Sequence, residues 1–258
     1  EMDEVEDIFI GPSGGDESLS IGAAYALWCE LNPGRPPVRL AHTYLGPAYD
    51  QEAVSRAITD LPPGIRVMKD PDDEYVAGLL AAGKVIAISR GRMEYGARAL
   101  GNRSILARAD DPGTIRLIND QIKLRDFWMP FAPMILEERI HDYAVNPKNI
   151  RSPYMTMGFD STDLAKKHLR AALHPADDSM RPQIVEKAQN PRLYTLLKHF
   201  EAKTGFGGLL NTSFNKHGEP VCCTPQDSIR TFLGSDLDGL LMEGYLLLRE
   251  RGEVEGTA

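Results

Sequence analysis

Two short polar motifs hold most of the chemical information in this 258-residue chain. Lys123-Leu124-Arg125 presents two cations one residue apart, and Ser213-Phe214-Asn215 presents a hydroxyl and an amide at the same spacing. Paired cations suit a phosphate, and a hydroxyl with an amide suits a small polar group beside it. Each motif sits at the end of a segment that reads as regular structure. An arginine-rich stretch, GRMEYGARALGNRSILA, precedes the first, and LLNTSFNKHGEPVCCTP surrounds the second.

Net charge is −8, which argues against a general nucleic-acid or anionic-membrane surface. The charge is unevenly spread. Between Ser89 and Arg125 lie eight cations (Arg90, Arg92, Arg98, Arg103, Arg108, Arg116, Lys123 and Arg125) against four acids. A basic island in an acidic chain reads as a site for a small anion. Gly91, Gly96 and Gly101 among these arginines favour close approach of backbone and ligand. Arg98, Arg103, Lys123 and Arg125 are spaced to converge from a loop, a following segment and a helix end, and Arg181 in SMRPQIV is a further candidate. The plainer reading of any one arginine is a surface ion pair of little energetic consequence.

Asn211, Ser213 and Asn215 alternate along NTSFN, so an extended backbone turns all three to one side and Thr212 and Phe214 to the other. Ser213 lacks the G-x-S-x-G surroundings of a nucleophile elbow, and hydrogen bonding is its expected role. An Asn/Ser turn is the plainer alternative. Gly11-Pro12-Ser13-Gly14-Gly15-Asp16 is a glycine-rich turn without a complete phosphate-loop pattern. Asp16 stands where a carboxylate could meet a metal or a phosphate. The six histidines have no metal-ligand spacing, and Cys222 and Cys223 read as small buried residues rather than zinc ligands or nucleophiles. Three sparse cysteines fit a reducing cytoplasm.

The elements that must position these groups are legible as a mixed α/β or α+β pattern. A strand is expected over 7–10, a helix from Ser18 to Leu31 ended by Asn32-Pro33-Gly34, and a linker over 35–50. Helices follow over 50–60 and 74–82, then the strand KVIAIS. A helix capped by Asp111 runs from Pro112 to Ile122 and delivers Lys123. Strands are predicted over 131–136, 154–159 and 207–211. Helices are predicted over 137–143, over 191–203 with Gly205 as the stop, and from Thr224. A helix or excursion spans 160–172. A strand or strand pair covers 238–249, before a polar tail over 251–258.

GRMEYGARALGNRSILA, INDQIKLRDFWMPFAP, MRPQIV, NPRLYTLL and LLNTSFNKHGEPVCCTPQDSIRTF resemble the C-terminal part of the NodU/CmcH/TobZ-type O-carbamoyltransferases, in order, over roughly residues 70–248. The resemblance implies a YrdC-like twisted mixed sheet with flanking helices over 46–250. It implies that Lys123, Arg125, Ser213 and Asn215 are the Lys-x-Arg and Ser-x-Asn tetrad of such domains. Arg98, Arg103, Arg181 and Asn211 are the accompanying substrate- or nucleotide-binding candidates.

The implied reaction takes carbamoyl phosphate and ATP, with Mg²⁺ on the nucleotide, to carbamoyl adenylate. A preceding actin/Hsp70-like domain carrying iron then passes the carbamoyl group to a hydroxyl of an acceptor. Residues 1–45 resemble the last strand and helix of that domain plus a linker, and Asp16 matches its metal-binding aspartate, whose histidine partners lie outside this sequence. Packing on that domain is implied; a homodimer is left open.

Ala97 stands where proline is usual and Met129 where arginine is common. Two rivals remain: a threonylcarbamoyl-adenylate enzyme of tRNA modification, against which the charge and GARALGNRS count, and a nucleotide-binding module without catalysis.

Overall fold

The computed structural model describes residues 2–250 apart from 3, 7, 120, 121 and 123–128. Eight strands form one mixed sheet in the order β1-β8-β7-β2-β3-β6-β4-β5. They are β1 (Ile65–Lys69), β2 (Ile86–Ser89), β3 (Arg103–Ala107), β4 (Ala132–Leu136), β5 (Gln183–Val185), β6 (Gly208–Ser213), β7 (Gly239–Met242) and β8 (Tyr245–Arg249). β2 runs parallel to β7 and β4 parallel to β5; the remaining neighbours are antiparallel.

The helices are α1 (Ser18–Leu31), α2 (Gln51–Ala57), α3 (Asp73–Ala81), α4 (Gly113–Ile118), α5 (Ile140–Tyr143), α6 (Asp163–His168), α7 (Pro191–Thr204) and α8 (Pro225–Leu233). The sheet is covered on both faces: successive strand residues point to opposite sides, and apolar residues occupy both. Ala87, Ile105, Ile135, Leu210, Leu240 and Leu247 join one core with Val54 of α2, Ile140 of α5 and Phe232 of α8. Their neighbours Ile86, Leu106, Met134, Leu209, Leu241 and Leu246 join a second core with Leu80 of α3 and Leu196 and Phe200 of α7. Strands buried on both sides read as continuous apolar runs, as KVIAIS and GGLL do.

Most boundaries follow the local chemistry. Asp50, Asp72 and Thr162 accept a backbone N–H at the starts of α2, α3 and α6. α7 begins on Asn190-Pro191 and ends on Gly205, whose φ of 76° is left-handed. Thr224 and Asp227 form a reciprocal capping box on α8. α1 has the predicted bounds, and α4 starts one residue after Pro112, with the Asp111 carboxylate accepting from the Gly113 N–H.

Two predicted strands are absent. Described residues 8–10 are irregular and exposed, because no strand of this sheet lies beside them to complete a ladder. Residues 154–159 are interrupted by Met155, at φ 56°, and only Phe159 forms a bridge, to Met180. Conversely, β1, β3 and β5 went unpredicted. β3 is hidden in the arginine-rich stretch because it opens on a fully buried Arg103.

Candidate functional site

β6 and the loop before β3 border a small, partly open cleft. Asn211 and Ser213 line it from β6, with Thr212 at the same edge; Arg98 enters from the loop and Arg181 from the segment before β5. Pro130, Phe131 and Met155 supply its apolar wall. The register explains the convergence. β6 lies between β3 and β4, with Asn211 opposite Leu106 on one side and Ala132 on the other. Phe214 points away into the core that carries α8.

The Ser-x-Asn motif is internally ordered. Ser213 Oγ donates to Asn215 Oδ1 at 2.7 Å, and Asn215 Nδ2 donates to the carbonyls of Lys216 and Glu219 at 3.0 and 2.7 Å. Asn215 thus reaches the cleft through Ser213 rather than lining it. The turn that follows is tied to the helix-end segment: His217 N–H donates to the carbonyl of Ile122. Lys123 and Arg125 lie outside the described residues.

The loop carrying Arg98 is shaped from within. Glu94 Oε1 accepts the backbone N–H groups of Leu100, Asn102 and Arg103 at 2.7, 2.7 and 3.2 Å. Burial holds this carboxyl above the usual range, and the three donors only partly offset the effect. Gly101, at φ 109°, takes a conformation that an L side chain rarely adopts, and its N–H donates to Ser104 Oγ. Tyr44 and Gln183 both donate to the Leu100 carbonyl. Glu94 and Gln183 were not singled out from the sequence, although both sit in the motifs that carried the family resemblance.

Arg103 is a correction. It was expected among the anion ligands, but its side chain leaves the opposite face of β3 from Ser104, the partner of Ser213. It is 1% exposed, and its guanidinium donates to the carbonyls of Arg90, Gly91, Asn102 and Cys223. Burial lowers its pKa, and its Nε has no acceptor among the described residues. Its role is to tie the glycine-rich loop to the Cys222-Cys223 segment. Other members of the basic island are also engaged structurally. Arg90 pairs with Asp73 at 2.6 Å, Arg92 donates to the carbonyls of Tyr44 and Leu45, and Arg108 grips Asp110. Arg98 is exposed. Cys222 is buried as expected, and Cys223 is half-buried, with its Sγ 3.9 Å from the Tyr49 hydroxyl.

The guanidiniums of Arg98 and Arg181 at the cleft suit an oxyanion, whereas the Ser213 hydroxyl hydrogen and the Asn211 amide hydrogens are used inside the protein. No carboxylate lines the cleft, so its residues by themselves do not hold a bare divalent cation. Asp16 is exposed, and among the described residues no group of three or more His, Cys, Asp or Glu side chains could hold a metal. The residues present therefore do not fit an iron centre on their own. No helix among the described residues is long and apolar enough to cross a membrane.

Comparison with known proteins places the chain among relatives in sequence and in fold. Nodulation protein NolO of Bradyrhizobium diazoefficiens is 35% identical over 249 residues, 95% of this chain and 45% of that protein. The 3'-hydroxymethylcephem-O-carbamoyltransferase of Amycolatopsis lactamdurans is 38% identical over 149 residues, 57% of this chain and 27% of that protein. Full-length HypF, solved in a phosphate- and nucleotide-bound form, superposes with a TM-score of 0.50 at 17% identity, covering 74% of this chain and 23% of HypF. That likeness concerns the fold alone and agrees with the YrdC-like architecture. The chain spans less than half the length of the curated relatives it matches. The family model described as Carbamoyltransferase C-terminus matches residues 77–249, and the chain belongs to that family.

Proposed function

We propose that this chain is the activating part of an O-carbamoyltransferase. It binds carbamoyl phosphate and ATP and forms carbamoyl adenylate, whose carbamoyl group passes to a hydroxyl of an acceptor. The observation that carries the reading is the convergence of Arg98, Arg181, Asn211 and Ser213 on one cleft in a member of this family.

The chemistry follows from charge. Both substrates are anions and repel each other, and cations between them offset that repulsion and fix the reacting oxygen near the α-phosphate. The reaction is balanced with water: carbamoyl phosphate loses its phosphate, the carbamate oxygen attacks the α-phosphorus, and pyrophosphate leaves. Arg98 and Arg181 bind phosphate oxygens, and Ser213, whose hydroxyl hydrogen goes to Asn215 Oδ1, offers its oxygen as an acceptor at the edge of the cleft. Lys123 and Arg125 complete the set of donors, a reading supported by the bond between Ile122 and His217 beside the Ser-x-Asn turn. Mg²⁺ neutralises charge on the nucleotide. Transfer to the acceptor belongs to the longer protein, in whose preceding domain α1 would be the last helix.

ATP–pyrophosphate exchange tests the reading. Exchange should require carbamoyl phosphate, and R98A and R181A should each lower kcat/KM by about 10- to 100-fold, as loss of one charge-assisted hydrogen bond predicts. Exchange that runs instead on bicarbonate and threonine would establish the tRNA-modification alternative. Binding of ATP with no exchange under any condition would leave a binding module.

A further inference from the structure

Two consecutive peptide planes beside Arg98 are held at both edges. In the plane between Ala99 and Leu100, the carbonyl accepts from Asn211 Nδ2 at 3.0 Å and the N–H donates to Glu94 Oε1 at 2.7 Å. In the plane between Leu100 and Gly101, the carbonyl accepts from Gln183 Nε2 at 2.8 Å and from the Tyr44 hydroxyl at 3.0 Å. The N–H of that second plane donates to Ser104 Oγ at 2.9 Å. Only φ and ψ are soft between two planes, so holding both fixes the direction from which the chain arrives out of Arg98.

Gln183 acts on both planes. It holds the second directly, and its Oε1 accepts from Asn211 Nδ2 at 3.1 Å, which orients the Asn211 amide toward the first. Backbone carbonyls only accept, so neither amide can be turned over without setting oxygen against oxygen. Gln183 is itself held. It is 3% exposed and pairs with Met134 of β4. On either side of it, the Pro182 carbonyl accepts from Ser152 Oγ and the Ile184 N–H donates to the Ser152 carbonyl.

The two cations of the cleft flank this tie. Arg181 stands two residues before Gln183, and Arg98 two residues before Leu100. Both line the cleft, from segments that are 83 residues apart where Gln183 meets Leu100. Like charges repel, and Arg98 sits on an exposed stretch of its loop. A buried amide that links the two segments keeps both guanidiniums at one mouth, and donors already in place spare a ligand the cost of ordering them.

We propose that Gln183 sets the separation of Arg98 and Arg181, so that the two guanidiniums close on a single phosphate group. Gln183 does not touch the ligand; it is a positioning residue. The inference rests on the activation reading above.

Calorimetric titration of the whole chain with carbamoyl phosphate tests it, using R98A, R181A, their double variant and Q183M, in which Met keeps the length of Gln without its amide. Cations that share one phosphate are coupled. R98A and R181A should each weaken binding about tenfold, and the double variant should fall well short of the roughly hundredfold loss that independent sites would give. Q183M should weaken binding about tenfold in the wild-type chain but less than about twofold in R98A, where the tie has no guanidinium left to position. In ATP–pyrophosphate exchange the Q183M loss should fall on KM for carbamoyl phosphate, with kcat within about twofold of the wild type. A role in folding alone would shrink the active fraction instead, lowering kcat with KM unchanged, and that result would overturn the inference. So would a Q183M loss of the same size with and without Arg98. Fully additive losses in R98A and R181A overturn it without any change at Gln183, so the test survives a Q183M chain that does not fold. If carbamoyl phosphate does not bind the wild-type chain, the activation reading itself fails and takes this inference with it; binding that Q183M leaves untouched sinks the inference alone.

Discussion

Glu94 carries more of the cleft than any residue whose type pointed to chemistry. One carboxylate oxygen gathers three backbone N–H groups and so sets the path of the loop between Arg98 and β3. Removing it leaves those donors without their acceptor, and E94A should lose about 2–3 kcal/mol of stability together with phosphate binding. E94Q keeps an acceptor oxygen in place and should retain the loop. The two differ again in pH dependence. The folded-state pKa of Glu94 is raised by burial, so the folded chain holds the proton more tightly than the unfolded chain. Its contribution is fully present below the unfolded pKa and is lost as pH rises through the folded value. Denaturant melts of the wild type, taken upward in pH from the ordinary carboxylate range, should show this loss, and E94Q, which cannot ionise, should lack that component. Equal pH slopes in the two proteins would mean that Glu94 does not titrate in this window.

At the scale of elements, the turns and caps that hold the site are locally encoded and separately testable. A methyl group at Gly101 would overlap Leu193 of α7 while the residue holds φ 109°. G101A should therefore destabilise by more than about 1 kcal/mol and weaken phosphate binding, because the displaced loop carries Arg98. T224A removes one half of the α8 capping box and should cost about 1 kcal/mol in a denaturant melt. Its effect on phosphate binding should be small, since α8 packs behind the sheet. The same locality explains what was readable in the sequence. The capped helices α2, α3, α7 and α8, the apolar run of β2 and the path of β6 to Ser213 all follow from signals within a few residues. The failures have a different cause. The predicted strand over 7–10 depended on a neighbour that this sheet does not provide. β5 has only three residues and is defined by its partner β4. Arg103 was grouped with the anion ligands by residue type and chain proximity, whereas the parity of β3 sends it to the other face. Gln183 was passed over because an amide in a short motif has no distinctive type; its importance comes from the carbonyl of Leu100, 83 residues away.

For the whole molecule, the distribution of apolar surface separates the first forty residues from the rest. α1 has no buried residue, and Leu19, Leu27, Trp28 and Leu31 are each at least 43% exposed, with Phe9 at 77%. The sheet and its two covering layers draw their core from Val54 onward, and the small third cluster begins at Tyr44. Among the described residues the two regions meet where Lys148 donates to the carbonyls of Met2 and Val5 and where Pro12 approaches Gly96. Burial is the dominant stabilising contribution, and α1 supplies almost none to this core. Deleting residues 1–40 should accordingly leave the sheet domain folded, with a midpoint of thermal unfolding within about 4 °C of the full chain, the shift that roughly 1 kcal/mol produces at this size. The deletion should also reduce self-association, because it removes the largest run of exposed apolar side chains. Carbamoyl phosphate should bind the shortened chain as it binds the full one, since the residues lining the cleft run from Ala97 to Ser213. A melt that loses its cooperativity, or a midpoint lowered by ten degrees or more on the order set by several kcal/mol, would place α1 within the same folding unit as the sheet. Either result would show whether the sheet domain is a folding unit by itself.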